Sequence, residues 1–130
     1  MIVDVFNEIF TKVKTELAGI NVIADYPFKV SDFPTVVVEE MENATDMRTF
    51  DSSGYNHSNV TFRIEIFTTG SNKLSNARNI RGRVDSIMSG DYGMERIASN
   101  RIKNFVQDEI ERLQLTYVGK LDKNKRMYRR

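Results

Sequence analysis

The stretch V-T-F-R-I-E-I-F at residues 60–67 decides the fold class. One side of this segment is apolar and carries Val60, Phe62, Ile64 and Ile66. The other side carries Thr61, Arg63 and Glu65. Because successive residues of a strand point to opposite faces, this period of two predicts a strand with one face in the core.

Two further strands and one helix are predicted on the N-terminal side of this segment. Apolar residues at spacings of three and four predict a helix from Ile2 to Leu17, and Gly19 stands where a left-handed C-cap would end it. The β-branched run T-V-V-V-E-E-M at 35–41 predicts a strand, and residues 21–24 predict a shorter one.

A second helix is predicted after Gly70. Ser71 suits its N-cap, apolar positions from Leu74 to Met88 share one face, and S-G-D-Y-G at 89–93 marks its end. The order of helix, strands and helix predicts an α+β fold in a single domain, residues 1–130. We expect a mixed, mainly antiparallel sheet with both helices packed on one face and a C-terminal β-hairpin.

Residues 42–59, E-N-A-T-D-M-R-T-F-D-S-S-G-Y-N-H-S-N, are too polar and too many for a tight hairpin. They predict a long loop between two strands, a feature that is often functional. Met47, Phe50 and Tyr55 stand apart in this polar setting. They either anchor a partner when the loop orders or fold back onto their own sheet.

The periodicity of residues 100–112 is ambiguous. Ile102, Phe105, Val106, Ile110 and Leu113 fit a helical stripe, whereas the alternation from Leu113 to Val118 favours a strand. Residues 122–125 then suit a turn that leads into a terminal strand at Met127–Tyr128.

The composition argues against an enzyme. The 130 residues include no cysteine and one histidine, His57, so thiolate metal sites, cysteine nucleophiles and most zinc or triad chemistry are excluded. We therefore expect no catalytic residue, no cofactor and no metal site. Glu40 and Glu42 would share a strand face and could hold a hard cation, but a solvated strand end explains them better. No apolar run is long enough for a membrane span, and no secretory signal is recognisable.

The charge is unevenly distributed along the chain. Residues 1–51 hold four basic and ten acidic residues, a net charge of −6, whereas residues 52–130 hold fifteen and eight, a net charge of +7. Such polarity suits a nucleic-acid-facing half or head-to-tail self-association, in which unlike surfaces of identical chains meet. The alternative is that the two halves intermingle in space and the asymmetry averages out.

A basic cluster ends the chain. It comprises Lys120, Lys123, Lys125, Arg126, Arg129 and Arg130, with Tyr128 among them. Phosphate contacts, an acidic protein neighbour or a solvated hairpin would each explain it. No helix-turn-helix, zinc-finger or RNP motif accompanies it, so sequence-specific reading of DNA is not expected.

The C-terminal third carries a family resemblance. The segments R-I-K-N-F-V-Q-D-E-I-E-R at 101–112, L-T-Y-V-G-K-L-D at 115–122 and K-R-M-Y-R-R at 125–130 are similar to the end of tail-terminator (tail-completion) proteins of long-tailed bacteriophages and prophages. The order of an opening helix, a long strand-connecting loop and a second helix also resembles that family. About thirty residues match at the level of motifs.

The resemblance implies an assembly role. A tail terminator would close into a ring, usually of six copies, on the end of the tail tube, stop tube elongation and join the tail to the head connector. Its expected partners are copies of itself, the tube protein and the head connector or neck protein, with passing contact with genomic DNA and no membrane. The implied location is the tail–head junction of the virion, after assembly in the host cytoplasm. The resemblance also implies that residues 101–122 are extended.

Two other functions remain open at this point. One is a neck or head-completion protein (stopper or adaptor) of similar size, and the other is a small nucleic-acid-binding module. The candidate contact residues are Met47, Phe50, Tyr55, Lys125, Arg126, Tyr128, Arg129 and Arg130.

Overall fold

A computed structural model of the protein describes residues 5–24, 32–45, 50–51, 54–55, 57–102 and 109–122. These residues form two α-helices, one π-helical turn and seven strands. In chain order they are α1 (Phe6–Glu16), β1 (Asn21–Ile23), β2 (Thr35–Thr45), β3 (Phe50–Asp51), β4 (Gly54–Tyr55), β5 (His57–Thr69), α2 (Lys73–Asp85), the π-helical turn (Ser86–Asp91), β6 (Glu95–Ile102) and β7 (Ile110–Asp122).

Five strands form one sheet in the order β1-β2-β5-β7-β6, and β3 and β4 form a separate two-stranded pair. β1 runs parallel to β2, and every other neighbouring pair in the large sheet is antiparallel. β5 lies in the middle of the sheet and contains residues 60–67, whose alternation predicted a strand with one face in the core. The α+β class is therefore confirmed, with a mixed, mainly antiparallel sheet and the antiparallel pair β6–β7 at its C-terminal end.

Both helices pack on the sheet face that carries the apolar side chains of β5. Val60, Phe62, Ile64 and Ile66 are at most 1% exposed, as their alternation predicts. The helices contribute Ile9, Val13, Ala77, Ile80 and Val84 to the same core. Phe6 of α1 stacks on Phe62 with ring centroids 6.2 Å apart, which fixes the first helix over the sheet. Each fully buried aliphatic or aromatic side chain stabilises the fold by about 2 kcal/mol relative to exposure.

The sheet face turned away from the helices carries charged pairs. Arg63 lies 3.3 Å from Glu39 on β2, and Arg112 on β7 lies 2.9 Å from Glu65 on β5. The Arg112 guanidinium also lies 5.6 Å from the ring centroid of Phe67. Glu65 was expected on a polar, solvated face, but its side chain is only 1% exposed. The alternation therefore identified the face of Glu65 correctly but not its burial.

The prediction of a long loop at 42–59 is wrong for the described residues of that segment. β2 continues to Thr45, β3 and β4 pair with each other, and β5 begins at His57. β2 and β5 stay paired beyond Val60, the first β5 residue in the core, and so extend the sheet as an arm. Backbone hydrogen bonds suffice for such an extension, so its side chains need not be apolar. This is why the sequence is polar there.

Both helices differ slightly from their predicted limits. Gly19 follows α1 with φ of +89°, the left-handed conformation expected of a C-cap. Asn72 and not Ser71 occupies the N-cap position of α2, and its side chain makes no capping bond. The helical path continues through the π-helical turn, and Gly93 has φ of +70° just beyond it.

Within residues 101–122, which the resemblance predicted to be extended, the described residues 101–102 belong to β6 and residues 110–122 form β7. For these residues the resemblance was correct and the helical stripe was not. Residues 103–108, the predicted turn beyond Asp122 and the strand at Met127–Tyr128 lie outside the described residues.

Candidate subunit interface

The large sheet has two open edges in the described part of the chain. β6 pairs with β7 on one side, and no described strand lies on its other side. At the opposite edge β1 covers only Thr35–Val37 of β2, so the residues from Val38 to Thr45 have no described strand beyond them. We call residues 95–102 the β6 edge and residues 38–45 the β2 edge. Open edges present unpaired N–H and C=O groups, which can pair with another chain.

Each edge contains one irregularity, and each irregularity carries an exposed apolar side chain. The register of β2 with β5 shifts by one residue between Glu40 and Glu42, and the register of β6 with β7 shifts between Arg96 and Ala98. The residues between them are Met41, which is 49% exposed, and Ile97, which is 59% exposed. They are the two exposed large hydrophobic residues of the described chain. The shift also separates Glu40 from Glu42, which therefore do not share a face as expected.

Contacts on the helix side hold the β6 edge in place. Arg96 donates to Asp85 at the end of α2 over 2.7 Å, and Arg81 of α2 donates to the hydroxyl of Ser99 over 3.2 Å. Further along the strand, Arg101 donates to both carboxylate oxygens of Glu111, over 2.7 and 3.0 Å. β6 is therefore fixed to the helix and to β7, while none of the described strands pairs with its outer backbone. A fixed edge loses less conformational entropy on binding than a flexible one.

A buried tyrosine belongs to the same group of contacts. Tyr117 of β7 has no exposed surface, and its hydroxyl donates a short hydrogen bond to Asp85. Burial, followed by the bond to Asp85, raises the pKa of Tyr117 above its ordinary value. Asp85 thus joins α2 to both β6 and β7.

The charge asymmetry of the sequence is also an asymmetry in space. Among the strands, the acidic half contributes β1 and β2 at one edge of the sheet, and the basic half contributes β5 in the middle and β7 and β6 towards the other edge. Among the described residues, β2 from Glu39 to Glu42 carries three carboxylates, whereas α2 carries four cationic side chains and one carboxylate. The two halves also pack against each other, because β2 pairs with β5 and Phe6 of α1 stacks on Phe62.

A cleft opens where the helical layer ends and the sheet continues. It has a volume of about 670 Å³ and is lined by Val60 and Gly119 of the sheet, Ser89 and Gly93 near the π-helical turn, and the charged Glu42, Glu95 and Lys120, among others. No group of three or more His, Cys, Asp or Glu residues in the described ranges could hold a metal ion. None of the helices in those ranges is both long and apolar enough to cross a membrane.

The structure brings together two of the contact residues predicted from sequence. Phe50 and Tyr55 are direct register partners in the β3–β4 pair, which lies between β2 and β5 in the chain. Met47, Lys125, Arg126, Tyr128, Arg129 and Arg130 lie outside the described residues. Sequence reasoning did not select Met41 or Ile97. Each is a large apolar residue among polar neighbours, in E-E-M-E at 39–42 and in E-R-I-A-S at 95–99, and this isolation was a signal that could have identified them.

Comparison with solved structures shows a shared fold. No family model matches the chain, and no curated protein matches it by sequence. Among solved structures, a chain from the virion of a native gene transfer agent particle matches with a TM-score of 0.62 at 13% identity, covering 85% of this chain and 84% of that one. At this identity the match establishes the fold, and it extends over most of both chains.

Proposed function

We propose that this protein is a virion structural subunit that forms a ring on the end of a phage-like tail tube. The ring, of about six copies, ends tube elongation and joins the tail to the head connector. Its partners are neighbouring copies, the tube protein and the connector or neck protein. It acts at the tail–head junction after assembly in the host cytoplasm.

The observation that carries this proposal is the fold match to a chain of a gene transfer agent virion. The coverage of 85% and 84% means that the two chains resemble each other as whole subunits and not through a shared fragment. A match to a virion component supports a structural role over a catalytic one. The tail-terminator resemblance of residues 101–130 supports the more specific assignment.

The charge distribution and the edges of the sheet support a ring of identical copies. A closed cyclic ring requires a heterologous contact, in which two different surfaces of the same chain meet. The β2 edge, with Glu39, Glu40 and Glu42, and the β6 edge, with Arg96 and Arg101 against Glu95, provide two such surfaces of unlike charge.

A neck or head-completion protein is the second candidate, because the matched structure is a whole virion and its description names no component. The two candidates differ in where the protein is found. Recovery on head-free tails would favour the terminator, and recovery on filled heads alone would favour the neck protein.

Deletion of the gene tests the proposal. We expect tails of uncontrolled length that do not join to heads, with normal length and joining restored by a plasmid copy. Normal-length tails joined to heads in the deletion strain, or mature particles that lack the protein, would contradict it.

The basic C-terminal cluster can be tested in the same complementation assay. We expect the double charge reversal R129E/R130E to abolish head–tail joining. The matched control is Lys73→Glu with Arg78→Glu, which makes the same change of charge on α2. If both double variants fail equally, the effect reflects overall charge and not the C-terminal cluster.

A further inference from the structure

The two open edges of the sheet are matched in length and in strand direction. The β2 edge and the β6 edge each comprise eight residues. β2 and β7 run one way along the sheet, and β5 and β6 run the other way. When two copies in the same orientation stand side by side, the β6 edge of one therefore meets the β2 edge of the next in antiparallel orientation.

The two irregularities lie at nearly the same height along the strands. Met41 lies between Glu40 and Glu42, which pair with Phe62 and Thr61 of β5. Phe62 and Thr61 pair in turn with Tyr117 and Val118 of β7. Ile97 lies between Arg96 and Ala98, which pair with Tyr117 and Thr116 of β7. The two positions thus differ by one residue, a rise of about 3.3 Å.

This small difference in height favours a closed ring over a filament. A ring is generated by rotation alone, so the two surfaces that meet must lie at the same height along the rotation axis. For an axis that runs along the strands, rotation alone brings Met41 of one copy to within one residue of Ile97 of the next. A large difference in height would instead generate a rising filament.

The same comparison of heights pairs one acidic with one basic residue. Glu40 and Arg96 both align with Tyr117 on the helix side of the sheet, so at equal height Glu40 of one copy stands beside Arg96 of the next, whereas Glu42 stands beside Glu95. Each copy's own β1 occupies the edge of β2 up to Val37, which stops the ladder at that end. Apolar and oppositely charged cross-strand pairs are both stabilising.

We propose that the ring closes by strand addition: the β6 edge of one copy pairs with the β2 edge of the next, and Ile97 packs against Met41. This inference rests on the proposed function, because it requires a head-to-tail assembly of identical chains. Through this contact, the large sheets of neighbouring copies become continuous.

Cysteine cross-linking tests the contact directly, because the natural chain contains no cysteine. The double variant Met41→Cys with Ile97→Cys places one thiol on each edge, and both positions are exposed, so folding should be preserved. Facing antiparallel strands place opposed Cα atoms about 4.5–5.5 Å apart, so an offset of one residue leaves these two Cα atoms about 6 Å apart, within the range of a disulfide. After assembly with tail tubes and mild oxidation, we expect a ladder of covalent multimers that ends at the copy number of the ring.

Two controls distinguish this contact from its alternatives. Each single variant should stay uncross-linked, whereas dimers in high yield from one of them would show a symmetric edge-to-same-edge contact and overturn the inference. Asn79→Cys with Ile97→Cys places the first thiol on the exposed face of α2 and should give no ladder.

The outcome also separates this inference from the proposed function. Native mass measurement that shows rings, together with a double variant that forms no ladder, would overturn the edge contact and leave the ring intact. A wild-type protein that remains monomeric in the presence of tail tubes would overturn the ring and the contact together.

Discussion

Replacing Tyr117 with phenylalanine tests the link between the second helix and the sheet. Tyr117 has no exposed surface, and its hydroxyl donates to Asp85, which also accepts from Arg96 over 2.7 Å. The substitution removes one oxygen atom and keeps the ring, so the packing of the core is retained.

The expected cost follows from the charge of the acceptor. A hydrogen bond to a charged group contributes about 1.5–3 kcal/mol, and the loss falls in the lower half of this range because Asp85 keeps its bond to Arg96. We therefore expect the free energy of unfolding to fall by about 2 kcal/mol. For a domain of this size, that corresponds to a melting temperature lower by roughly 6–10 °C.

Urea unfolding followed by circular dichroism at 222 nm measures this loss. Tyr92→Phe is the matched control, because the Tyr92 ring packs against the core but its hydroxyl makes no hydrogen bond within the described residues. We expect the control to change stability by less than about 0.5 kcal/mol. Equal midpoints for Tyr117→Phe and the wild type would refute the assignment of Asp85 as the joint between α2 and the sheet.

Three other predictions concern a buried ion pair, alkaline pH and the β6 edge. Arg112→Leu leaves the Glu65 carboxylate buried without its cation, so the free energy of unfolding measured in urea should fall by about 3 kcal/mol. Adding Glu65→Leu should largely restore this free energy, and a double variant no more stable than the single one would contradict the prediction. Burial, followed by two nearby carboxylates, raises the pKa of Tyr92 to about 12, so the folded state binds this proton more tightly than the unfolded state. The contribution of this proton to stability should therefore be full below about pH 10 and decline as the pH rises towards 12. Absorbance at 295 nm should show a tyrosine that ionises only at high pH. Titration of every tyrosine of the folded protein near the ordinary tyrosine pKa of about 10 would count against the prediction. Ile97→Asp should prevent ring formation while changing stability by less than about 0.5 kcal/mol, with Asn79→Asp as the control of equal charge; native mass spectra that show rings of Ile97→Asp would exclude a role for this side chain.

The sequence was most informative where one face of an element is buried. The alternation of residues 60–67 predicted β5 and its core face, and the spacing of apolar residues predicted both helices. In these elements the burial of one face imposes a period that can be read directly.

The sequence was least informative where partners on other strands decide the structure. The segment E-R-I-A-S-N-R-I does not alternate, because the register shift at Ile97 interrupts the period and its arginines are held by Asp85 and Glu111. Glu65 is buried because Arg112 lies beside it, although the two are 47 residues apart in the chain. Neither pairing has a local signature.

The candidate interface was predictable in kind but not in position. Uneven charge indicated head-to-tail association, and in the structure the acidic β2 edge and the β6 edge lie at opposite edges of the sheet. The exposed Met41 and Ile97 become candidate contact residues because the strand order of the sheet places both on open edges. Strand order arises from pairings distant in sequence and cannot be read from periodicity.

The proposed function requires that identical chains assemble into a ring at the end of a tail tube. Native mass measurement of the purified protein mixed with tail tubes, combined with electron microscopy of the tube ends, shows whether they do. We expect an annulus of about six chains seated on one end of each tube. Bare tube ends and a protein with the mass of a single chain under the same conditions would contradict it.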